Sequence, residues 1–166
     1  MYMAGHSAGA ILAMLYVQGD LNDDGDVRAS GNLAGLTDLS IPSDTVWNQY
    51  PADFVLLYKE LYYRIASYAA TTANNLAFMA ISPYWVTYNN PGRPNITVLP
   101  DDNDVFGVEA PNGGSHIHAV SYHALLTNRN VPNENILIEG ENHGFGNRPD
   151  SWRIVVGHTT AFFRQH

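Results

Sequence analysis

The pentapeptide Gly5-His6-Ser7-Ala8-Gly9 lies between a short apolar run and a longer one, and its residue types suit nucleophilic chemistry. A serine hydroxyl is a weak nucleophile until the backbone holds it toward a base and toward donors for an oxyanion. A sharp strand-to-helix turn does this by forcing the serine into a strained conformation. Glycines at both flanks remove the Cβ atoms that would keep strand and helix apart. The following helix presents its positive dipole end, and the Ala8 N–H is placed to donate to a developing oxyanion. His6 neighbours the serine on a sharp turn, so the two side chains point apart. That makes His6 a packing or pocket residue rather than the base.

Such a turn needs a strand before it and a helix after it, and both are readable. Tyr2 to Ala4 ends a buried strand, and Ala8 to Val17 is an apolar helix. Gly19 to Asp26 is an acidic turn-rich loop, Val27 to Leu33 a strand, and Gly35 to Ser40 the turn leaving it. Apolar residues at three- and four-residue steps predict a helix over Ala52 to Ala70 and a short one over Asn74 to Ile81, stopped by Ser82-Pro83. Asn95 to Leu99 is β-branched and apolar, a central strand. Ser115 caps a helix reaching about Asn130, its apolar side carried by Ile117, Val120, Ala124 and Leu125. Asn135 to Glu139 is the next strand. A helix from Ser151 carries Trp152, Val155, Val156, Phe162 and Phe163. Strands alternating with helices predict a mostly parallel sheet flanked by helices.

GHSAGA opening a helix, a strand running into LAGLTDLS, and then SPYWV resemble the α/β-hydrolase fold. Within it the sequence is similar to the esterase/lipase branch, which includes carboxylesterases, feruloyl-esterase-like proteins and arylformamidases. The resemblance runs from Tyr2 to the last helix and is most specific at the nucleophile motif. It implies a triad in the order Ser, acid, His. Ser7 is then the nucleophile. The acid falls in Pro100-Asp101-Asp102-Asn103-Asp104-Val105, where the family's Gly-x-x-Asp pattern aligns Asp104, with Asp101 in the usual glycine position and Asp102 as competitor. The base is His143 in ENHGFG, which resembles the family's His-Gly-Phe loop. The implied reaction is acyl transfer from a carboxylic ester through an acyl-enzyme on Ser7. The implied partner is therefore a small-molecule ester, with no cofactor and no metal. His6, Trp85 and Phe145 are expected to line the substrate pocket, and Asn142 and Gly144 to shape the histidine loop.

The resemblance also says what to expect of the chain's extent. The nucleophile strand is the fifth in this fold, whereas here it begins at residue 2. The expected architecture is thus the C-terminal portion of an α/β-hydrolase, a single N-terminally truncated domain over 1–166 with a cap or lid segment at about 42–81. Seven tyrosines from Tyr50 to Tyr88 fall largely within that segment. A glycine-rich loop supplying a second oxyanion donor would precede the serine, and Asn112-Gly113-Gly114 comes too late to be it. A chain lacking that half could also be catalytically silent and act as a binding or assembly module.

Composition narrows the partners. Eight Lys+Arg against 16 Asp+Glu leave a formal charge of −8, and Lys59 is the single lysine. Phosphate recognition depends on clustered cations, so nucleic acid is an unexpected partner. No apolar run is long enough to span a membrane. The absence of cysteine excludes a disulfide framework and a thiolate nucleophile. MYMAGHSAGA has no basic n-region and does not read as a signal peptide; neither compartment nor oligomeric state is written in the sequence. Asp20 to Gly25 matches the first half of a calcium loop, but Gly31 stands where its bidentate Glu belongs, which leaves a solvated acidic loop. His116 and His118 fall on different faces of their helix and make no metal pair; they are expected to be exposed or partly packed, with His123.

Overall fold

In the computed structural model, which describes residues 1–39, 72–101 and 114–166, four strands form one parallel sheet in chain order. They are β1 (Tyr2–His6), β2 (Ala29–Leu33), β3 (Asn95–Pro100) and β4 (Asn133–Ile138). The described helices are α1 (Ala8–Gln18), α2 (Thr72–Ala80), α3 (Pro83–Asn89), α4 (Gly114–Asn128) and α5 (Ser151–Gln165). The expected helix over Ala52 to Ala70 and most of the expected cap lie outside the described residues.

Parallel crossovers are right-handed, and here each advances one strand in the same direction. Their helices therefore fall on one face, where α1 meets α3 and α3 meets α4. Among the described helices α5, which follows the last strand, is left to cover the other face. The side chains record the two sides. Met14, Tyr122, Leu125, Leu126 and Val131 form one apolar cluster, between α1 and α4. Ala29, Ile96, Val98, Ile138, Val155 and Phe162 belong to another, between the sheet and α5. Every residue of β2 and β3 is buried. Their polar members are paired: Asn95 Nδ2 donates to Ser30 Oγ at 2.7 Å, and Thr97 Oγ1 donates to Asn95 Oδ1 at 3.0 Å. Gln18 Nε2 joins them from α1 at 3.2 Å from Ser30 Oγ.

Several expectations change. β1, expected to be buried, is an edge strand of the described sheet with Tyr2 and Ala4 exposed. Pro83 does end α2, but it also begins α3, because proline at the first turn of a helix gives up an N–H that has no intrahelical partner anyway. Val120 is 61% exposed, and α4 buries Ala119, Tyr122 and Leu126 instead. Trp152 and Val156 are exposed on α5, whose core side is Val155, Thr159 and Phe162. Among the described residues no helix is long and apolar enough to cross a membrane.

Candidate active site

Ligands of parallel α/β sheets gather at the carboxyl ends of the strands, where β1 runs into Ser7 and β4 into the loop of His143. Ser7 leaves β1 with φ 54° and ψ −123°, a left-handed conformation that a non-glycine residue adopts only when its surroundings enforce it. Two restraints do so. The Ser7 N–H donates to the Leu33 carbonyl at 2.9 Å, and its own carbonyl accepts from the Ala10 N–H at 3.0 Å. Gly5 lets the turn close: a Cβ there would lie 2.2 Å from the Gly9 oxygen. Gly35 does the same from just past β2, where a Cβ would meet the Ala10 Cβ at 2.6 Å. Gly9 differs from expectation, because a Cβ on it would meet nothing within 4 Å. Ser7 occupies the N-cap of α1, yet its side chain makes no capping bond. Ala8 is exposed at the start of α1, ahead of the first helical hydrogen bond, so its N–H has no partner within the helix.

The loop after β4 brings His143 to the same end of the sheet. His6 Nε2 lies 2.6 Å from the His143 carbonyl oxygen, and the two rings are 4.9 Å apart. Within the loop, Asn142 Oδ1 accepts from the N–H groups of Gly144 and Gly146 at 3.0 and 3.1 Å. Phe145 takes φ 53° and is fully buried in the cluster beneath α5. From the core it pins the loop from below.

Glu141 is the residue that sequence reasoning missed. Its side chain is completely buried. The carboxylate accepts from Ser151 Oγ, from the Asn147 N–H at 3.0 Å and from Arg148 Nε at 3.0 Å. Burial pushes its pKa up, but the Ser151, Asn147 and Arg148 donors outweigh that and hold it below the ordinary carboxylate value. A signal was present, since Glu141 and its three donors fall within eleven residues.

Trp85 is partly buried between Tyr84 and Tyr88, and its Nε1 donates to Asp38 Oδ1 at 3.2 Å. Asp102 and Asp104 lie outside the described residues. Asp101, just before them, accepts from the Gly140 N–H at 3.3 Å, so the start of that loop adjoins the loop of His143. His118 is buried rather than exposed. Its Nδ1 accepts the Asp38 N–H at 3.1 Å, and burial lowers its pKa to about 4 against the opposing charge of Asp38. In the acidic loop, Asn22 spends its amide on the backbone of Val17 and Val27. Among the described residues no group of His, Asp and Glu could hold a metal ion.

The fold and the turn at Ser7 together define an α/β-hydrolase fold, and solved structures share it. The chain superposes on a puromycin-hydrolyzing peptidase of Mycobacterium tuberculosis with TM-score 0.64 and 16% identity, covering 97% of this chain and 21% of that one. Carboxyl esterase 2 of the mycorrhizal fungus Tuber melanosporum gives TM-score 0.64 at 15% identity, covering 96% and 52%. An esterase of Pyrobaculum calidifontis gives 0.62 at 17%, covering 97% and 51%. The chain thus spans between a fifth and about half the length of these structures. No family model matches the sequence, and no curated protein does.

Proposed function

We propose that this chain carries the acyl-transfer machinery of a serine hydrolase acting on carboxylic esters. The observation that carries the reading is the left-handed backbone of Ser7, with a hydroxyl not spent on capping α1. In the reaction, Ser7 Oγ attacks the ester carbonyl and His143 takes its proton. The Ala8 N–H donates to the oxyanion, and His143 then protonates the departing alcohol. Water, deprotonated by the same base, releases the acid and restores Ser7. Asp104 orients the imidazole and balances its charge. Ester chemistry is favoured by the GHSAGA resemblance, while the similar structures include both esterases and peptidases.

A fluorophosphonate probe and p-nitrophenyl acetate test this on the intact chain. Labelling at Ser7 and ester turnover are expected, with Ser7→Ala abolishing labelling and lowering turnover by about 10⁴-fold or more. Labelling that survives Ser7→Ala, or a folded chain that is neither labelled nor active, overturns the proposal.

A second reading, a silent binding or assembly module, draws on β1. It is an edge strand of the described sheet, with Tyr2 and Ala4 exposed. Exposed edges template pairing with another strand. A folded chain that resists the probe yet self-associates through this edge would favour it.

A further inference from the structure

We infer that His6 is a positioning residue that latches the histidine loop to the nucleophile strand, an assignment that rests on the Ser7–His143 reading above. A carbonyl oxygen only accepts, so at 2.6 Å from the His143 oxygen the His6 Nε2 must carry the proton and donate. The bond joins positions 137 residues apart in the chain. It ties the strand of Ser7 directly to the loop of His143. It acts on the backbone of residue 143, so it sets where the imidazole is anchored and leaves the ring to its own partners.

The His6 ring is itself fixed. It sits 5.7 Å from the Trp152 ring and 6.0 Å from the Phe145 ring, both edge-on. Phe145 lies two residues beyond His143 and Trp152 is in the first turn of α5, so the latch is clamped by the loop it holds and by the helix that follows. On the other side, His6 pairs in register with Leu33, whose carbonyl receives the Ser7 N–H. One imidazole thus sits between the residue that sets the serine and the residue that carries the base. A misplacement of about 1 Å between reacting groups can cost on the order of 100-fold in rate, so such a latch is felt in turnover before it is felt in binding.

Three variants of the full chain separate a latch from packing. His6→Phe keeps a flat ring among Phe145 and Trp152 but has no donor. His6→Gln places an amide donor near the Nε2 position, and His6→Ala removes both. With p-nitrophenyl acetate, His6→Phe is expected to lower kcat by about 10- to 100-fold with KM within about twofold, and His6→Gln to recover most of that loss. Hydrogen exchange supplies a readout independent of turnover: amides of 143–147 exchange faster in His6→Phe and return toward wild type in His6→Gln. A His6→Phe chain with wild-type kcat and unchanged exchange overturns the latch, as does a His6→Gln chain no better than His6→Phe. If the wild-type chain shows no turnover, the serine-hydrolase reading falls by itself, and loop exchange in His6→Phe still decides whether the bond holds the loop.

Discussion

The two ends of the candidate site are built in different ways. The turn at Ser7 is shaped by the backbone: a left-handed serine, two carbonyl hydrogen bonds, and glycines where any Cβ would collide. The loop at His143 is shaped by side chains: Glu141 gathers three donors, Asn142 folds over two glycine amides, and Phe145 plugs the core. Steric exclusion fails all at once when it is violated. A hydrogen-bonded network loses one bond at a time, with water able to replace its exposed members. The nucleophile end should therefore be brittle and the base end graded.

The sharpest way to break that contrast is to place a methyl in the turn. Gly5→Ala would put its Cβ 2.2 Å from the Gly9 oxygen and 2.7 Å from the Ala10 nitrogen, both rigid backbone atoms. A loss of about 3 kcal/mol or more is expected in urea unfolding. Gly9→Ala sits in the same motif but meets open space, so it is expected to gain about 0.5–1 kcal/mol from helix propensity. Equal effects at the two glycines would show that the turn is not held by sterics.

At the base end the largest effect is expected at Glu141. A carboxylate whose folded pKa lies below its ordinary value of 4.5 adds stability that is full above that value and lost as pH falls through the lower folded value. Wild type should therefore lose stability on acidification below about pH 4.5, and Glu141→Gln should show a lower melting temperature at pH 7 and a flatter acid limb. Glu141→Ala, which leaves Ser151 Oγ, Arg148 Nε and the Asn147 N–H without their acceptor, should fall further than Glu141→Gln. A melting curve for Glu141→Gln that tracks wild type at every pH would mean that the buried charge does not hold the loop.

This division also explains what the sequence disclosed. Gly5-His6-Ser7-Ala8-Gly9 is local, and its steric logic can be read from five letters; so can the strand at Asn95 to Leu99, apolar and β-branched. The parallel order followed from alternation. What stayed hidden depended on partners far along the chain. His118 reads as a surface histidine until Thr37 and Asp38, 80 and more residues away, wrap its backbone and ring. Val120 reads as part of the buried side of α4 and is exposed, while Tyr122 is buried, because apolar residues lie around much of that helix's circumference. Pro83 carried two meanings, stop and start, and only the buried Ser82 before it, whose Oγ accepts the Leu39 N–H at 2.6 Å, decides between them. Glu141 is the instructive omission, since its donors are sequence neighbours and its burial alone is not.

The smallest expected effect, and the finest test of gradation, is at Asn142. Its Oδ1 accepts from Gly144 and Gly146, and its Nδ2 donates to Asn147 Oδ1 at 2.6 Å. Both glycine amides belong to exposed residues, so water can take over in Asn142→Ala, and a loss of about 1 kcal/mol is expected. Asn142→Asp keeps the acceptor for the two amides but sets a carboxylate against the Asn147 oxygen. If the acceptor does the shaping, Asn142→Asp should protect the Gly144 and Gly146 amides from exchange better than Asn142→Ala does. If the Asn147 contact does it, the order reverses. Either way the change should stay within residues 140–147 and leave exchange at the Ser7 turn as it was. Faster exchange at Ala10 or Ile11 in these variants would show that the two ends share one network, and that the contrast between them is wrong.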